Sequence, residues 1–88
     1  MAPIHKAAAC GDREELRRLL DGDQGLVHAE DQGGERPLTY ASEEGHVEAA
    51  RLLLDRGASV NAADGSGQTA LMRACYEGHV EVVRLLLE

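Results

Sequence analysis

Eighty-eight residues make at most one compact domain, and with two Tyr and no Trp or Phe its core must consist of Leu, Val, Ile and Ala. The formal net charge of -7 argues against nucleic-acid binding, which needs clustered Lys and Arg, and favours a basic protein partner or simply solubility. No stretch resembles a signal peptide or a membrane span, so we expect a reduced cytoplasmic or nuclear setting and no membrane partner.

The first predicted helix pair lies at about residues 3–20. Pro3 suits the first position of a helix, because its missing N–H costs nothing there. Gly11 can take the left-handed conformation that ends a helix, and Asp12 is a plausible N-cap for a second helix at about 13–20. The loop that follows is one residue longer than its later counterpart, which predicts a less regular connection.

Two further helix pairs follow with the same spacing. The second is predicted at about 37–44 and 47–56, and the third at about 70–77 and 80–87. Thr69 is an N-cap that the second pair lacks, because Arg36 stands at that position. Each pair is separated internally by a Gly-His dipeptide that begins at Gly45 or Gly78.

These pairs are copies of one unit. The pattern of unit two returns thirty-three positions later, so that Asp31 becomes Asp64 and Leu38 becomes Leu71, and Ile4 matches Leu38 at a spacing of 34. A fixed period of this size is the signature of a stacked repeat array. We therefore predict one domain, 1–88, of three units at about 1–30, 31–63 and 64–88, with the last one truncated.

The repeated residues resemble the ankyrin repeat over nearly the whole chain. The family pattern of a turn, T-P-L-H-x-A and two helices is matched, without the complete T-P-L-H, by Gln68-Thr69-Ala70-Leu71-Met72-Arg73-Ala74 and Arg36-Pro37-Leu38-Thr39-Tyr40-Ala41. A narrower likeness is to small ankyrin-only proteins of the myotrophin kind. The resemblance implies an all-α solenoid of stacked helix–turn–helix units with β-turn fingers.

The two ends of the predicted stack differ. The second-helix slots that should face the preceding unit are apolar in units two and three but polar in unit one, where Arg13, Glu15 and Arg18 replace Val47, Ala49 and Leu52. This predicts an N-terminal capping repeat. Val83, Leu86 and Leu87 keep their apolar identities, which predicts an uncapped C-terminal end that continues into more repeats or is buried against another copy or a partner.

The cysteines and histidines indicate structure rather than chemistry. Cys75 shares the register of Ala8 and Ser42, which we predict to be small and buried, and the separation of two repeats between Cys10 and Cys75 argues against a disulfide within the chain. His46 and His79 recur after glycines, which favours capping or bonding between units over metal binding. The turn at 65–67 lacks the lysine and the strand of a phosphate loop. We expect no enzyme, no cofactor and no metal.

The resemblance implies that a partner binds on the concave face formed by the turn tips and first helices. The matching positions are Glu35, Arg36, Tyr40, Glu43, Glu44, Gln68, Arg73, Tyr76 and Glu77. Acidic residues there steer a basic partner, although any single glutamate can equally be a solvated residue. Both tyrosines are candidate anchors, because a core of Leu and Ala needs neither. We predict a non-enzymatic protein-interaction module (scaffold, adaptor or regulatory inhibitor) for a partner with a basic segment.

Two alternatives remain. The open C-terminal face could drive self-assembly into a homo-oligomer. The resemblance also implies possible asparagine hydroxylation at Asn61, although Ser59 stands where the family prefers an acidic residue.

Overall fold

The computed structural model describes residues 2–88, and in that part of the chain it contains helices and no strand. Six α-helices and one 3-10 helix follow in order: α1 Pro3–Cys10, α2 Arg13–Gly22, the 3-10 helix Gln24–His28, α3 Pro37–Glu43, α4 Val47–Asp55, α5 Ala70–Tyr76 and α6 Val80–Leu87. The bounds of the six α-helices lie within two residues of the predicted ones, whereas the 3-10 helix lies in the stretch predicted as a loop. The predicted all-α class is confirmed.

Side-chain caps fix where two of the helices begin. The carboxylate of Asp12 accepts a hydrogen bond from the backbone N–H of Glu15 at 3.1 Å, which starts α2. The hydroxyl of Thr69 accepts one from the N–H of Met72 at 3.3 Å, which starts α5. At the start of α3, Arg36 makes no such bond. The predicted difference between units two and three is confirmed.

The irregular first loop contains the 3-10 helix. The Asp23 carboxylate accepts a hydrogen bond from the N–H of Gly25 at 3.0 Å, which begins this short helix. Val27 then enters the core, where its side chain is buried. The additional residue of this loop therefore leads to an extra turn of helix without displacing the apolar contact.

The helices stack in two layers. Within each unit the two helices pack on one another, and between units α1 contacts α3, α3 contacts α5, α2 contacts α4, and α4 contacts α6. Leu16, Leu20 and Leu53 are fully buried between the layers. Each unit packs only against its immediate neighbours, so that the core runs along the stack, as expected of a repeat solenoid.

Two histidines join successive units. The Nε2–H of His46 donates to the carbonyl oxygen of Ala9, and that of His79 donates to the carbonyl oxygen of Glu43, both at 2.9 Å. Two residues after each acceptor stands a glycine at positive φ, Gly11 or Gly45, and the histidine ring of the next unit lies directly over it. The predicted bonding between units is confirmed.

The two ends of the stack have different surfaces. At the start, Arg13 and Arg18 are exposed, in agreement with the predicted capping unit. At the far end Met72 is 52% exposed and Leu87 is 67% exposed. The prediction that Cys75 is buried is wrong, because Cys75 belongs to the last unit of residues 2–88 and no following unit covers it there.

Candidate functional site

The predicted binding face consists of the solvent-facing side of α1, α3 and α5 together with the turns 31–35 and 64–68. We call it the first-helix face. Both turns are built around an aspartate: one carboxylate oxygen of Asp31 accepts the N–H groups of Gly33 and Glu35, each at 2.9 Å. Asp64 does the same for the following turn, with distances of 2.8 and 3.0 Å to the second and fourth residues after it. The two turns therefore have the same shape.

The turn tips lie against one another through their backbones. The N–H of Gly65 donates to the carbonyl oxygen of Gly33 at 2.8 Å. A Cβ atom added to Gly34 or to Gly65 would lie 2.9 Å from backbone atoms of the opposite turn. Glycine is required at this contact because a side chain would force the turns apart, and the first-helix face is continuous from one unit to the next as a result.

Arg73 joins units two and three through three carboxylates. Its guanidinium donates to Glu43 at 2.8 Å, to Glu35 at 3.1 Å and to Asp64 at 3.0 Å. Only 19% of the Arg73 side chain and 2% of the Asp64 side chain are exposed. One positive charge faces three negative ones, so this part of the face keeps a negative balance.

Burial and hydrogen bonding shift the pKa values of Asp64 and Arg73 in opposite directions. Backbone N–H groups, first that of Gln68 and then that of Ser66, hold the pKa of Asp64 below its usual range despite burial, and Arg73 adds to this effect. Burial works against the charge of Arg73, but its hydrogen bond to Asp64 and the negative charges around it raise its pKa overall. Both groups are therefore charged at neutral pH.

Tyr40 occupies the position in unit two that Arg73 occupies in unit three. Its hydroxyl donates to the second carboxylate oxygen of Asp31, just as Arg73 donates to Asp64. Its ring lies 5.4 Å from that of His5 at an angle of 59°, and the Nε2–H of His5 donates to the carbonyl oxygen of Ala29 at 2.8 Å.

This pairing perturbs both partners. The hydrogen bond from Tyr40, helped by the N–H groups of Glu35 and Gly33, holds the pKa of Asp31 below its usual range. The same hydrogen bond to Asp31, together with burial, raises the pKa of Tyr40 to about 12. Tyr40 is half-buried and packs against the core. The expectation that the core needs neither tyrosine is therefore wrong for Tyr40, which the sequence did not distinguish from Tyr76.

Most of the remaining predicted residues are more accessible than Tyr40. Tyr76 is 87% exposed, and Glu44, Gln68 and Glu77 are exposed as well. Arg36 is half-buried and donates to Glu30 at 3.1 Å. The structure gathers part of the predicted set around a shallow depression of about 460 Å³, lined by Glu43, Gln68, Met72, Arg73, Tyr76 and Glu77.

Met72 was not among the predicted residues, and the role of Arg73 as an internal ion-pair partner was also missed. One signal for the second point is present in the repeat. The turn aspartate and the first-helix residue that pairs with it are nine positions apart in both units, as Asp31 and Tyr40 or as Asp64 and Arg73. The opposite charges of Asp64 and Arg73 at this spacing are the signal in the sequence for their pairing.

Residues 2–88 were described by the structure, and in this range two other kinds of site, a metal site and a membrane span, are absent. No group of three or more His, Cys, Asp or Glu side chains in this range is arranged so that it could hold a metal ion. None of the helices described is both long enough and apolar enough to cross a membrane. Asn61 is exposed in the connection after α4, and its modification stays a prediction.

The family comparison matches almost the entire chain. The model that describes ankyrin repeats, in three copies, matches residues 4–88. This range includes all six α-helices except the first residue of α1, as well as both turns of the first-helix face.

Individual relatives are similar over a shorter stretch. The human DNA-binding protein RFXANK is 40% identical over 55 residues, which are 62% of this chain and 21% of that protein. The 26S proteasome non-ATPase regulatory subunit 10 of Dictyostelium discoideum is 39% identical over 56 residues, 64% of this chain and 24% of that protein. Human inversin is 40% identical over 55 residues, 62% of this chain and 5% of that protein. The matched part spans less than a quarter of each of these curated relatives.

Proposed function

This chain belongs to the ankyrin-repeat family, whose repeats generally mediate protein–protein interaction, and we propose that it is a non-enzymatic module that binds a protein partner along the first-helix face. The observation that carries the proposal is the combination of an exposed tyrosine with unbalanced negative charge. Tyr76 is 87% exposed beside the depression, and Arg73 balances only one of the three carboxylates that it contacts.

The charge of this face defines the chemistry of the partner. Glu44 and Glu77 are exposed, and neither is among the carboxylates that pair with Arg73. They are therefore the carboxylates best able to meet a Lys or Arg of the partner. Glu35 and Glu43 already contact Arg73 and contribute mainly to the negative potential. The partner is a protein with an extended basic segment, and Glu44 and Glu77 attract that segment electrostatically and contribute to its affinity.

Tyr76 supplies the apolar part of the contact. A tyrosine offers a large rigid surface with few rotatable bonds, so that little conformational entropy is lost when it is covered. The neighbouring depression is shallow and open, which suits a polypeptide lying across the face better than an enclosed small molecule. A partner segment with one apolar side chain flanked by Lys or Arg satisfies both features.

Two of the relatives have names that bear on the role of this chain. One relative is a regulatory subunit, which agrees with a role for this chain as an adaptor or regulatory inhibitor. Another is named as DNA-binding, but we do not extend that property to this chain. A net charge of -7 and an acidic first-helix face both oppose contact with phosphates.

Peptide selection followed by affinity measurement tests the proposal. Short random peptides displayed on phage are selected against the intact chain, and the enriched peptides are expected to contain Lys or Arg around an apolar residue. Their affinities are then measured by fluorescence anisotropy. Tyr76→Ala and the double reversal Glu44→Lys with Glu77→Lys should each weaken binding by about tenfold or more, which corresponds to about 1.4 kcal/mol.

A matched reversal on the outer helices is the control. Glu48 and Glu81 are exposed on α4 and α6, away from the first-helix face, so Glu48→Lys with Glu81→Lys changes the net charge equally without touching the proposed site. Binding should survive this change within about twofold at physiological salt. Equal losses from the two double reversals would mean that only overall charge matters, and the assignment of the face would be wrong.

A further inference from the structure

A second cavity of the first-helix face lies at the junction of units one and two. We call it the turn cavity. It has a volume of about 660 Å³ and is lined by Ala2, His5, Glu30, Asp31, Gln32 and Tyr40. The depression beside Tyr76 shares no residue with it. The turn cavity is therefore a separate candidate site on the same face.

Within the described part of the chain, Asp31 of this cavity pairs with no cation. One oxygen of its carboxylate accepts the N–H groups of Gly33 and Glu35, and the other accepts the uncharged hydroxyl of Tyr40. A carboxylate oxygen has two lone pairs, so the second oxygen can accept one more donor. No ion pair formed within residues 2–88 includes Asp31.

Asp64, the counterpart of Asp31, shows which donor such a carboxylate accepts when a cation is near. Its first oxygen accepts two N–H groups of its own turn, as that of Asp31 does. Its second oxygen accepts the guanidinium of Arg73 at 3.0 Å. In unit two the residue at the position of Arg73 is a tyrosine. A guanidinium bound to Asp31 would therefore come from another molecule.

The cavity keeps a net negative charge. Arg36, the nearest cation in the sequence, donates to Glu30 at 3.1 Å and leaves Asp31 unbalanced. The Glu30 side chain is 55% exposed, so it can accept a further donor. The hydrogen bond from Tyr40 holds the pKa of Asp31 below its usual range, and its carboxylate is therefore charged at neutral pH.

His5 provides evidence for a donor that is independent of the acidic residues. It forms part of the cavity wall, although it is only 2% exposed. Its Nε2–H donates to the carbonyl oxygen of Ala29 at 2.8 Å, so that Nδ1 of the neutral ring is an acceptor. This Nδ1 is buried and has no hydrogen-bond partner within residues 2–88. A buried acceptor without a donor costs stability, and a donor bound in the cavity would remove that cost.

The number of acceptors favours one kind of donor. A guanidinium has five N–H donors in a planar fork, whereas an ammonium is a compact and strongly hydrated charge. A guanidinium also stacks on aromatic rings, and the rings of His5 and Tyr40 lie 5.4 Å apart in this cavity. An arginine side chain therefore fits this lining better than a lysine side chain.

We infer that the turn cavity binds an arginine side chain of the partner, whose guanidinium donates to the carboxylates of Glu30 and Asp31 and to Nδ1 of His5. The origin of this arginine, a basic segment on the first-helix face, rests on the proposed function.

The position of the arginine in the partner follows from the spacing of the helices. The cavity lies between α1 and α3, and Tyr76 is on α5, about one and a half helix spacings or about 12–15 Å away. An extended segment covers this distance in about four residues. The arginine is therefore about four positions from the apolar residue that covers Tyr76.

A small guanidinium compound tests the cavity without any partner. N-acetyl-arginine methylamide is titrated into the intact chain, while NMR follows the backbone amide of Gln32 and the Nδ1 of His5. Both signals should shift and reach saturation. The matched citrulline compound, in which a neutral urea group replaces the guanidinium, should bind at least about tenfold more weakly.

Two substitutions of similar shape assign the contacts. Asp31→Asn keeps an oxygen for the N–H groups of Gly33 and Glu35 but removes the charge, and should weaken binding of the arginine compound by about tenfold. His5→Gln keeps an amide donor for the Ala29 carbonyl but removes Nδ1, and should weaken binding by about threefold. Circular dichroism checks that both variants are folded.

Exposed glutamates supply the remaining comparison. Glu30→Gln removes a carboxylate of the cavity without altering the turn aspartate, so it tests the site even if the other variants unfold, and it should weaken binding by about threefold. Glu48→Gln makes the same change of charge on α4, away from the cavity. It should leave binding within about twofold of the unaltered chain.

Peptides that bind the first-helix face test the position of the arginine. Replacing the arginine that lies four positions from the apolar residue by citrulline should weaken binding to the unaltered chain by about tenfold. In the Asp31→Asn chain the same replacement should weaken binding by less than about twofold, because the contact is already lost.

The outcomes separate this inference from the proposed function. If peptides bind through Tyr76 but the arginine compound causes no saturating shift at Gln32 or His5, the inference is wrong and the proposed function stands. If N-acetyl-lysine methylamide binds as tightly as the arginine compound, the cavity responds to charge alone and the choice of arginine is wrong. If the arginine compound binds and depends on Asp31 but no basic peptide is selected, the guanidinium site stands and the proposed function is wrong.

Discussion

The imidazole ring of His79 lies so close over Gly45 that a Cβ atom on residue 45 would be 2.6 Å from its Nδ1. Gly45→Ala must therefore displace the ring and weaken the hydrogen bond from His79 to the Glu43 carbonyl. It also places a side chain at a φ of 77°. We expect a loss of about 2–4 kcal/mol in the free energy of unfolding, measured by urea denaturation.

Gly78→Ala is the matched control for that prediction. Its φ of 75° carries the same backbone cost, but no described atom lies where its Cβ would be. The loss should be only about 1 kcal/mol. If the two variants lost equal stability, the ring would be free to move aside and the contact between units would contribute nothing.

Leu53 lies at the centre of the stack and is fully buried. Leu53→Ala removes apolar contact area in the only unit of residues 2–88 that has a neighbour on both sides. We expect a loss of about 2–5 kcal/mol, with the whole chain unfolding in one transition. Leu87→Ala, at a position that is 67% exposed, should change stability by less than about 0.5 kcal/mol. Two separate transitions in the Leu53→Ala variant would contradict the central role of this unit.

Replacement of Arg73 tests the three-carboxylate cluster. Arg73→Gln leaves Glu35, Glu43 and Asp64 close together without a cation, and we expect a loss of about 2 kcal/mol in the free energy of unfolding at low salt. Added salt screens the repulsion between the carboxylates, so part of the loss should be recovered as the NaCl concentration rises.

Arg84→Gln is the reference for this change. The Arg84 side chain is 74% exposed and pairs only with Glu81, at 3.4 Å. Its removal should cost less than about 0.5 kcal/mol. If the cluster holds units two and three together, the losses in the free energy of unfolding caused by Arg73→Gln and Arg84→Gln should differ at low salt and become similar at high salt. If the free energies of unfolding of the two variants changed equally with NaCl concentration, Arg73 would act through packing alone.

The raised pKa of Tyr40 predicts that the chain loses stability at alkaline pH. Its pKa is about 12 in the folded chain against 10.0 for an ordinary tyrosine. Between these values the folded chain keeps a proton that the unfolded chain has lost, so the stabilisation is complete below pH 10 and disappears as the pH rises towards 12. Urea midpoints measured across this range should fall steeply for the unaltered chain.

Tyr40→Phe should be less stable at neutral pH, because Asp31 loses its hydroxyl donor, but its decline above pH 10 should be shallower. Tyr76→Phe is the control. Because Tyr76 is 87% exposed, its substitution should leave the change of the urea midpoint with pH unaltered. An equally steep decline in Tyr40→Phe would assign the alkaline sensitivity to other groups.

The fold could be predicted because the same helix–turn–helix pattern occurs three times in the sequence. One helix pair alone leaves its bounds ambiguous, but matching residues at a fixed period fix the helix order, the turns and the direction of stacking. The caps at Asp12 and Thr69 depend on neighbours within four residues, so these local features were also predictable.

The contacts across the stack were less predictable. Glu35 and Glu43 were assigned to a basic partner, but both contact Arg73, which lies 38 and 30 residues away in sequence. Residue type and helix face do not determine whether a long side chain reaches solvent or a neighbouring unit. Cys75 shows the complementary limit, because its register predicted burial that only a following unit can supply.

The extensive helix contacts join only members of one unit or of adjacent units. No pairing has to wait for distant parts of the chain to meet, so folding should be fast for a chain of this size and should begin from any adjacent pair of units. Because the contacts are local, the stability of the structure also varies along the chain. Amide hydrogen exchange is expected to be slowest in α3 and α4 and to quicken toward α1 and α6, as each end frays without opening the middle.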